Sequence, residues 1–208
     1  VEPIQGEGGV IVPPQGYLKK IRDITKRQDV LLMLDEIQTG LGRTGKMFAY
    51  QYEDAKPDVL ILGKALGGGV YPVSAVLADN SVMSVFSPGD HGSTFGGNPL
   101  ASAVAEVSLD VLQEENLAAN SLEMGTYFIE GLKKINSPIV KEIRGKGLLM
   151  GVEIKKEHGP ARPFCEKLMD LGILCKETHQ QTIRFAPPLI INQEEIDWAL
   201  ERIAVVLK

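Results

Sequence analysis

The chain has 208 residues, of which 44% are hydrophobic and 24% are charged, and its formal net charge is −5 at pH 7. This composition is typical of a globular chain of one to one and a half domains and argues against disorder. The acidic balance argues against binding to nucleic acid or to an anionic membrane surface. No apolar run approaches the ~20 residues that a membrane-spanning helix needs, and no signal-like amino terminus is visible.

The first predicted elements are a loop, a helix and a strand. Glycine and proline are frequent from Glu2 to Pro14, which predicts a loop. Residues Tyr17 to Gln28 predict a helix. Its apolar face is expected in the core and consists of Tyr17, Leu18, Ile21 and Ile24. The run from Val30 to Leu34 has the length and composition of a strand, and Asp35 follows it directly.

A second apolar run ends at a lysine. The segment from Asp58 to Gly69, DVLILGKALGGG, predicts a buried strand that leads through Lys64 into a glycine-rich turn. Burial would lower the pKa of this amine and make it a nucleophile towards an aldehyde. The alternative is a lysine that extends from the strand end into water.

Asp35 and Lys64 are expected to lie at one edge of a sheet. They are 29 residues apart, and each follows a short apolar strand, which suits a parallel βαβ-like unit. In open α/β sheets the carboxyl edge of such strands binds ligands. The two residues could form a plain ion pair there, or they could serve a cofactor that needs both groups.

Two nucleotide-binding motifs are considered and disfavoured. Gly40 to Gly45, GLGRTG, matches the dinucleotide pattern G-x-G-x-x-G, but it begins five residues beyond Asp35 and no acidic residue ends the next strand. A phosphate-binding P-loop is absent because Lys64 is followed by alanine. The three histidines and two cysteines show no metal-ligand spacing, so we predict no metal site and two reduced thiols in the core.

The middle of the chain predicts a glycine and hydroxyl segment followed by two helices. Asp90 to Gly97, DHGSTFGG, precedes Asn98 and suits either a helix cap or a phosphate site. Helices are predicted over Leu100 to Gln113 and Leu117 to Ile135. Their apolar stripes are expected in the core: Leu100, Val104, Val107 and Val111 in the first, and Leu117, Met124, Phe128, Leu132 and Ile135 in the second.

A smaller α/β unit is predicted after Asn136. The expected strands are Ile139 to Arg144, Leu148 to Ile154, Ile173 to Cys175 and Thr182 to Ala186, with a helix from Arg162 to Asp170. Asn192 and Glu195 predict a capping box at the start of a final helix, whose inward face is Ile196, Ala199, Leu200, Ile203 and Leu207. Arg184 lies between apolar neighbours and therefore on the opposite strand face, where it either faces solvent or binds a carboxylate.

Four motifs carry a family resemblance. They are VEPIQGEGGV, LDEIQTGLGRTG, ILGKALGGGVYPVSAV and HGSTFGGNPLA, in this order. Together they resemble the class III pyridoxal-phosphate aminotransferases of fold type I, over essentially the whole chain. The resemblance implies an α/β fold in which residues 1–136 are the carboxy-terminal part of a large, mainly parallel-sheet domain with its connecting helix, and residues 137–208 are a small carboxy-terminal α/β domain. It also implies that about half of the protein precedes Val1.

The resemblance assigns cofactor roles to five residues. Lys64 would bind the aldehyde of pyridoxal 5'-phosphate and later act as the base that moves a proton. Asp35 would keep the pyridine nitrogen protonated, and Gln38 would hydrogen-bond the phenolic oxygen. Ser93 and Thr94 would serve the phosphate, with Thr94 reaching the cofactor of the neighbouring subunit. A homodimer with shared sites is therefore expected.

The resemblance also implies the substrates. Glu7 would pair with Arg184 during one half-reaction and release it to a substrate carboxylate in the other. Within the class the sequence most resembles the branch that uses ornithine as amino donor and 2-oxoglutarate as acceptor, in arginine and proline metabolism. Acetylornithine and 4-aminobutyrate enzymes, a racemase or aminomutase, and an inactive cofactor-free fragment are the alternatives. A cytoplasmic location is expected, and a mitochondrial one stays open.

Overall fold

A computed structural model describes residues 1–208 as six α-helices and seven β-strands. The helices are α1 (Tyr17–Arg27), α2 (Asn80–Met83), α3 (Pro99–Glu114), α4 (Leu117–Lys134), α5 (Arg162–Asp170) and α6 (Gln193–Leu207). The strands are β1 (Met33–Asp35), β2 (Val59–Leu62), β3 (Ala75–Ala78), β4 (Val140–Lys146), β5 (Leu149–Ile154), β6 (Lys176–Thr178) and β7 (Thr182–Phe185). Short 3-10 helices lie at Ala49–Tyr52, Lys64–Gly67 and Lys156–His158.

The first sheet has the strand order β1-β2-β3. β1 and β2 are parallel, with Asp35 opposite Ile61, and β3 is antiparallel to β2. The predicted parallel pair is confirmed, but its connection contains a 3-10 helix where an α-helix was expected. Gly42 and Gly45 adopt positive φ angles of 85° and 96°, so the connecting segment turns repeatedly and forms no α-helix.

Two predicted apolar stripes in this part of the chain are wrong. In α3, Leu100 and Val107 are each 59% exposed. In α1, only Leu18 of the predicted stripe is buried, and Ile24 is 50% exposed. Helical periodicity identified both helices correctly, but it does not determine which face meets the sheet when a helix has apolar residues on more than one side.

The buried face of α3 differs from the predicted stripe and packs on the turn after β2. Ala101 and Leu112 are buried, and Ser108 lies on the same side. A Cβ atom on Gly68 would lie 2.5 Å from the Ser108 hydroxyl oxygen, so the helix and the glycine turn approach closely. α3 therefore fixes the position of the 3-10 turn that begins at Lys64.

The second sheet is antiparallel throughout, in the order β4-β5-β7-β6. One face packs against α4, α5 and α6 around a core of 15 buried residues, which include Phe128, Ile183 and Ile196. The strand predicted at Ile173–Cys175 is wrong. Ile173 and Cys175 instead pack against this core, and the strand is formed by the next three residues.

Helix α4 joins the two parts of the chain. Its first residue, Leu117, belongs to the core of the first sheet, whereas Phe128 and Leu132 belong to the core of the second. The division at residue 136 stays a prediction. The predicted capping box of α6 is confirmed, because Asn192 Oδ1 accepts from the Glu195 amide at 2.9 Å and Glu195 Oε2 accepts from the Asn192 amide at 3.0 Å.

Three further features bear on function. No helix of the structure has both the length and the apolar character needed to cross a membrane. His, Cys, Asp and Glu side chains nowhere come together in groups of three that could hold a metal ion. Cys165 and Cys175 are both free thiols.

Candidate active site

Asp35 and Lys64 lie at the same edge of the first sheet. Asp35 is the last residue of β1, and Lys64 follows Leu62, the last residue of the parallel strand β2. Neither side chain takes part in a salt bridge, which excludes the plain ion pair. Asp35 Oδ1 accepts a hydrogen bond from the Ile37 amide at 3.0 Å, so this half-buried carboxylate keeps acceptor capacity for a ligand.

Of the two alternatives for Lys64, the structure shows the lysine that extends from the strand end, and the side chain is not buried. Its side chain is exposed, because the residue begins the 3-10 turn beyond the strand and does not lie in the strand itself. The backbone of Lys64 is in the left-handed region, with φ 44°. This conformation costs a non-glycine residue roughly 1–2 kcal/mol. Such outliers concentrate at functional sites, where the surrounding structure imposes them.

Glu36 is a residue of this site that the sequence did not single out. It is 1% exposed, and its carboxylate accepts hydrogen bonds from the Thr39 hydroxyl at 2.8 Å and from the Ala49 and Tyr50 amides at 2.8 and 2.9 Å. Burial raises the pKa of this carboxyl, and the hydrogen bonds oppose that effect. Glu36 therefore ties the turn after Asp35 to the 3-10 helix at Ala49–Tyr52.

Arg184 lies on the polar face of the second sheet. It is paired with Gly151 of β5 and with Lys176 of β6, while its neighbours Ile183 and Phe185 point into the core and are 0% and 4% exposed. The predicted strand face is confirmed. The arginine does not face open solvent, however, because its side chain is only 17% exposed.

Arg184 is held by the two side chains Glu7 and Gln38. Its Nη1 donates to Glu7 Oε1 at 2.5 Å and to Gln38 Oε1 at 3.0 Å. The Arg184 hydrogen bond lowers the pKa of Glu7 below its ordinary value, although partial burial opposes the shift. Lys176 Nζ lies 3.6 Å from the second oxygen of the same carboxylate. A Cβ atom on Gly6 would lie within 2.5 to 2.7 Å of the Gln38 side chain, so only glycine leaves room for this arrangement.

These side chains adjoin an open cavity of about 290 Å³. Its wall includes Gln38, Arg43, Lys64 and Arg184 and contains no aspartate or glutamate. Glu7 balances the charge of Arg184, but Arg43 and Lys64 have no carboxylate partner, so the cavity wall is cationic and favours an anionic ligand. A larger cleft of about 840 Å³ lies beside Trp198, but its mainly apolar wall contains none of the predicted site residues.

Arg43 is a second residue that the sequence analysis missed. Its Nη1 donates to the carbonyl oxygens of Leu148 at 3.1 Å and Pro187 at 2.5 Å. Burial lowers the pKa of this guanidinium to about 10. Arg43 is the arginine of the GLGRTG motif, and its contacts show that this motif connects the first sheet to the second unit.

Comparison with known proteins identifies the family. The family model described as "Aminotransferase class-III" matches residues 1–207. The chain belongs to the class III aminotransferases. An ornithine aminotransferase from Brevibacillus brevis is 61% identical over 207 residues, which are 100% of this chain and 51% of that protein. The chain thus spans about half the length of the curated relatives it matches.

Solved structures agree with this assignment and with the predicted fold class. An ornithine aminotransferase from Toxoplasma gondii, crystallized with partial occupancy of PLP at its active site, has a TM-score of 0.96 and 48% identity over 100% of this chain and 49% of that chain. An acetylornithine aminotransferase from Elizabethkingia anophelis has a TM-score of 0.94 and 47% identity over 100% of this chain and 55% of that chain. The family assignment also argues against a dinucleotide-binding role for GLGRTG.

Ser93 and Thr94 lie in the loop that precedes α3. Both are exposed, and neither belongs to the wall of the cavity next to Lys64. The Ser93 hydroxyl accepts from the Gly96 amide at 3.0 Å, which closes a local turn. The cap of α3 is Asn98, whose Oδ1 accepts from the Ala101 amide at 2.9 Å. The two hydroxyl residues are therefore not needed as a helix cap, and their role as phosphate ligands stays a prediction.

Proposed function

We propose that this sequence belongs to a pyridoxal-phosphate-dependent ornithine δ-aminotransferase. The enzyme transfers the terminal amino group of ornithine to 2-oxoglutarate and releases glutamate semialdehyde and glutamate. The observation that carries the proposal is the Glu7–Arg184 ion pair beside the cavity that contains Lys64. Because the chain spans about half the length of its relatives, the proposal concerns a polypeptide of their full length.

The residues at the strand edge fit the cofactor. Lys64 is exposed and in no salt bridge, and Asp35 is a carboxylate without a cation beside it. The amine can therefore bind an aldehyde, and the carboxylate can accept a hydrogen bond from a protonated ring nitrogen. When bound, pyridoxal 5'-phosphate supplies that aldehyde and an electron-withdrawing ring. Lys64 Nζ is then the group that moves a proton at the substrate carbon bearing the nitrogen.

Arg184 and Glu7 suit the two substrates in turn. Ornithine presents its terminal amine on a carbon without a carboxylate, so it needs no cation next to the reacting carbon. Glutamate and 2-oxoglutarate carry a carboxylate there, and a guanidinium is the natural bidentate partner for it. With Glu7 in place the charge of Arg184 is neutralised, and movement of Glu7 exposes it to the second substrate. This arrangement supports a donor that reacts through a terminal amine.

The choice among terminal-amine donors rests on the relatives. Acetylornithine and 4-aminobutyrate also present such an amine, and the class III fold serves an acetylornithine enzyme at 47% identity. Ornithine is favoured because a relative of that name is 61% identical to the chain.

We further propose a homodimer in which Thr94 contacts the cofactor phosphate of the neighbouring subunit. The segment around Thr94 supports this, because Val85, Phe86 and Phe95 are 75%, 56% and 77% exposed. Several large apolar side chains exposed within one short segment are typical of a contact surface. Sedimentation equilibrium of the full-length polypeptide at two concentrations would identify a dimer, and a monomer at both would contradict it.

Absorption spectroscopy tests the cofactor and the donor together. We expect added pyridoxal phosphate to give an absorption band of lysine-bound cofactor, which ornithine converts to the spectrum of the amine form. Lys64→Ala should lose that band and reduce turnover by about 10²–10⁴-fold or more, whereas Lys20→Ala on exposed α1 should behave like the wild type. Acetylornithine and 4-aminobutyrate are compared as donors. An unchanged band in Lys64→Ala would contradict the assignment of this lysine.

A further inference from the structure

The loop that carries Glu7 has a defined shape. Gln5 and Ile11 form a two-residue antiparallel bridge, with amide-to-carbonyl distances of 3.1 and 2.9 Å, which closes the loop from Gln5 to Ile11. Val10 is completely buried and adopts a positive φ of 53°. Glu7 lies in the turn between these anchors. The direction of its side chain is therefore determined by how the loop backbone is held.

Arg144 of β4 holds this backbone from the second sheet. Its Nη2 donates to the carbonyl oxygen of Gly9 at 2.6 Å, and its Nε donates to the carbonyl oxygen of Val10 at 3.0 Å. On the other side of the turn, Thr178 Oγ1 donates to the carbonyl oxygen of Glu7 at 2.6 Å. The backbone of the loop is thus fixed on both sides of the turn by side chains of the second sheet.

Arg144 is itself fixed by carboxylates. Its side chain is only 10% exposed, and its Nη1 lies 2.8 Å from Glu142 Oε2 and 2.5 Å from Glu153 Oε2. Its Nη2 also donates to Thr182 Oγ1 at 3.2 Å. Every one of these partners lies on the same sheet, so the guanidinium has one orientation and presents its remaining donors to the loop.

Arg144 and Arg184 lie on the same polar face of the sheet, with one strand between them. The register pairs Gly151 of β5 with both arginines. A Cβ atom on Gly151 would lie 3.0 Å from Val10 Cβ, so the glycine makes room for the loop to cross this strand. The loop therefore connects the two arginines: Arg144 binds its backbone, and Arg184 binds its carboxylate.

We propose that Arg144 is a positioning residue that holds Glu7 opposite Arg184 and so sets how readily Arg184 becomes available to a substrate carboxylate. The inference rests on the proposed function. The Glu7 side chain is 58% exposed. An exposed ion pair contributes little when both partners are mobile, and contributes more when its geometry is fixed in advance. Arg144 supplies that fixed geometry, which makes Glu7 an effective competitor for Arg184.

The test compares substrate selectivity in a full-length polypeptide carrying Arg144→Lys. A lysine keeps the charge but cannot bind two successive carbonyl groups with a planar fork. We expect Glu7 to be displaced more easily, so that kcat/KM for glutamate as donor rises relative to kcat/KM for ornithine by about 5-fold. Lys141→Met is the matched control, because Lys141 binds the same Glu153 carboxylate at 2.6 Å and makes no hydrogen bond to the loop. It should leave the ratio unchanged.

A double-mutant cycle with Glu7→Gln separates positioning from general stability. If Arg144 acts through Glu7, Arg144→Lys should change the selectivity ratio in the wild type and leave it unchanged in the Glu7→Gln background. An equal shift in both backgrounds, or no shift in the wild type, would overturn the inference while leaving the Glu7–Arg184 pair intact. If Glu7→Gln alone leaves the ratio unchanged, the role of the pair in the proposed function fails, and this inference fails with it.

Thr178 provides a second test of the inference if the Arg144→Lys variant does not fold. Thr178→Val removes the hydroxyl that donates to the Glu7 carbonyl and keeps the shape of the side chain. We expect a shift of the ratio in the same direction and of smaller size. Thr178→Ser keeps the donor and should restore the wild-type ratio. A shift that is the same for serine and valine would contradict a role for the hydrogen bond.

Discussion

The two sheets differ in how completely their own chain covers them. The second sheet has a core of 15 buried residues from its strands and three helices, and its charged Arg144 and Glu153 are paired. The first sheet has a core of 10 buried residues, and Val76 and Leu77 of β3 are 55% and 47% exposed. The two ionisable groups at its strand edge, Asp35 and Lys64, have no salt-bridge partner.

This difference suggests different roles for the two sheets: the second holds residues in place, and the first offers groups that can bind a ligand. The second unit satisfies its own polar groups and can therefore hold Arg184 and the Glu7 loop in fixed positions. The first unit leaves an amine and a carboxylate available at a strand edge, and a cofactor can satisfy both. A class III site needs both kinds of region, because unsatisfied groups bind ligands well only when neighbouring groups are rigidly placed.

The largest effect on stability is expected from the core of the second sheet. Phe128 is 2% exposed and packs against Phe185 with ring centroids 5.8 Å apart. Phe128→Ala should lower the free energy of unfolding of residues 1–208 by about 3–5 kcal/mol. Val107→Ala on α3 is the control in the first part of the chain, where the side chain is 59% exposed, and should change it by less than about 0.5 kcal/mol. Urea unfolding measures both, and similar losses for the two variants would break the comparison.

A smaller effect is expected from the one fully buried carboxylate of the first unit. Glu36→Gln cannot accept all of the hydrogen bonds from Thr39, Ala49 and Tyr50, because an amide has a single acceptor oxygen. We expect a loss of about 1–3 kcal/mol in the free energy of unfolding. The exposed Glu157→Gln serves as the control and should be neutral. A neutral result for Glu36→Gln would show that the turn after Asp35 does not depend on this carboxylate.

The smallest effect on stability is expected from the ion pair between Glu7 and Arg184. Arg184 lowers the pKa of Glu7 in the folded chain. The stability that this pair contributes is therefore fully present above the ordinary glutamate pKa and is lost as the pH falls through the lowered value. Because Glu7 is 58% exposed, Glu7→Gln should cost no more than about 1 kcal/mol at pH 7. Thermal unfolding curves of the variant and the wild type should converge in acid, whereas Glu123→Gln should follow the wild type at every pH. A difference that grows in acid would contradict the sign.

Much of this fold could be predicted from local pattern. The end of β1 at Asp35 and the end of β2 at Leu62, just before Lys64, follow from short apolar runs. The start of α6 follows from a capping box, whose two hydrogen bonds join residues only three positions apart. Such features are formed by residues close together in the sequence, so a short sequence window is enough to predict them.

The remaining features depend on contacts between distant residues. The contacts of Arg144 with Gly9 span 135 residues, and those of Arg43 with Pro187 span 144. The alternation of polar and apolar residues in β4 does not distinguish Arg144 from a solvent-exposed arginine. The choice between a buried and an exposed Lys64 could not be made from the sequence for a related reason, because the 3-10 turn that carries this lysine packs on α3 and is not determined by the apolar run before it.

The backbone of Lys64 has a consequence for protein engineering. Its φ of 44° suits glycine or asparagine better than lysine. A procedure that scores variants only by folding stability would therefore replace this lysine early, and the product would be a more stable protein without the amine that we propose binds the cofactor. Sequence design on this fold must hold residue 64 constant and gain stability elsewhere, for example on the exposed face of α3.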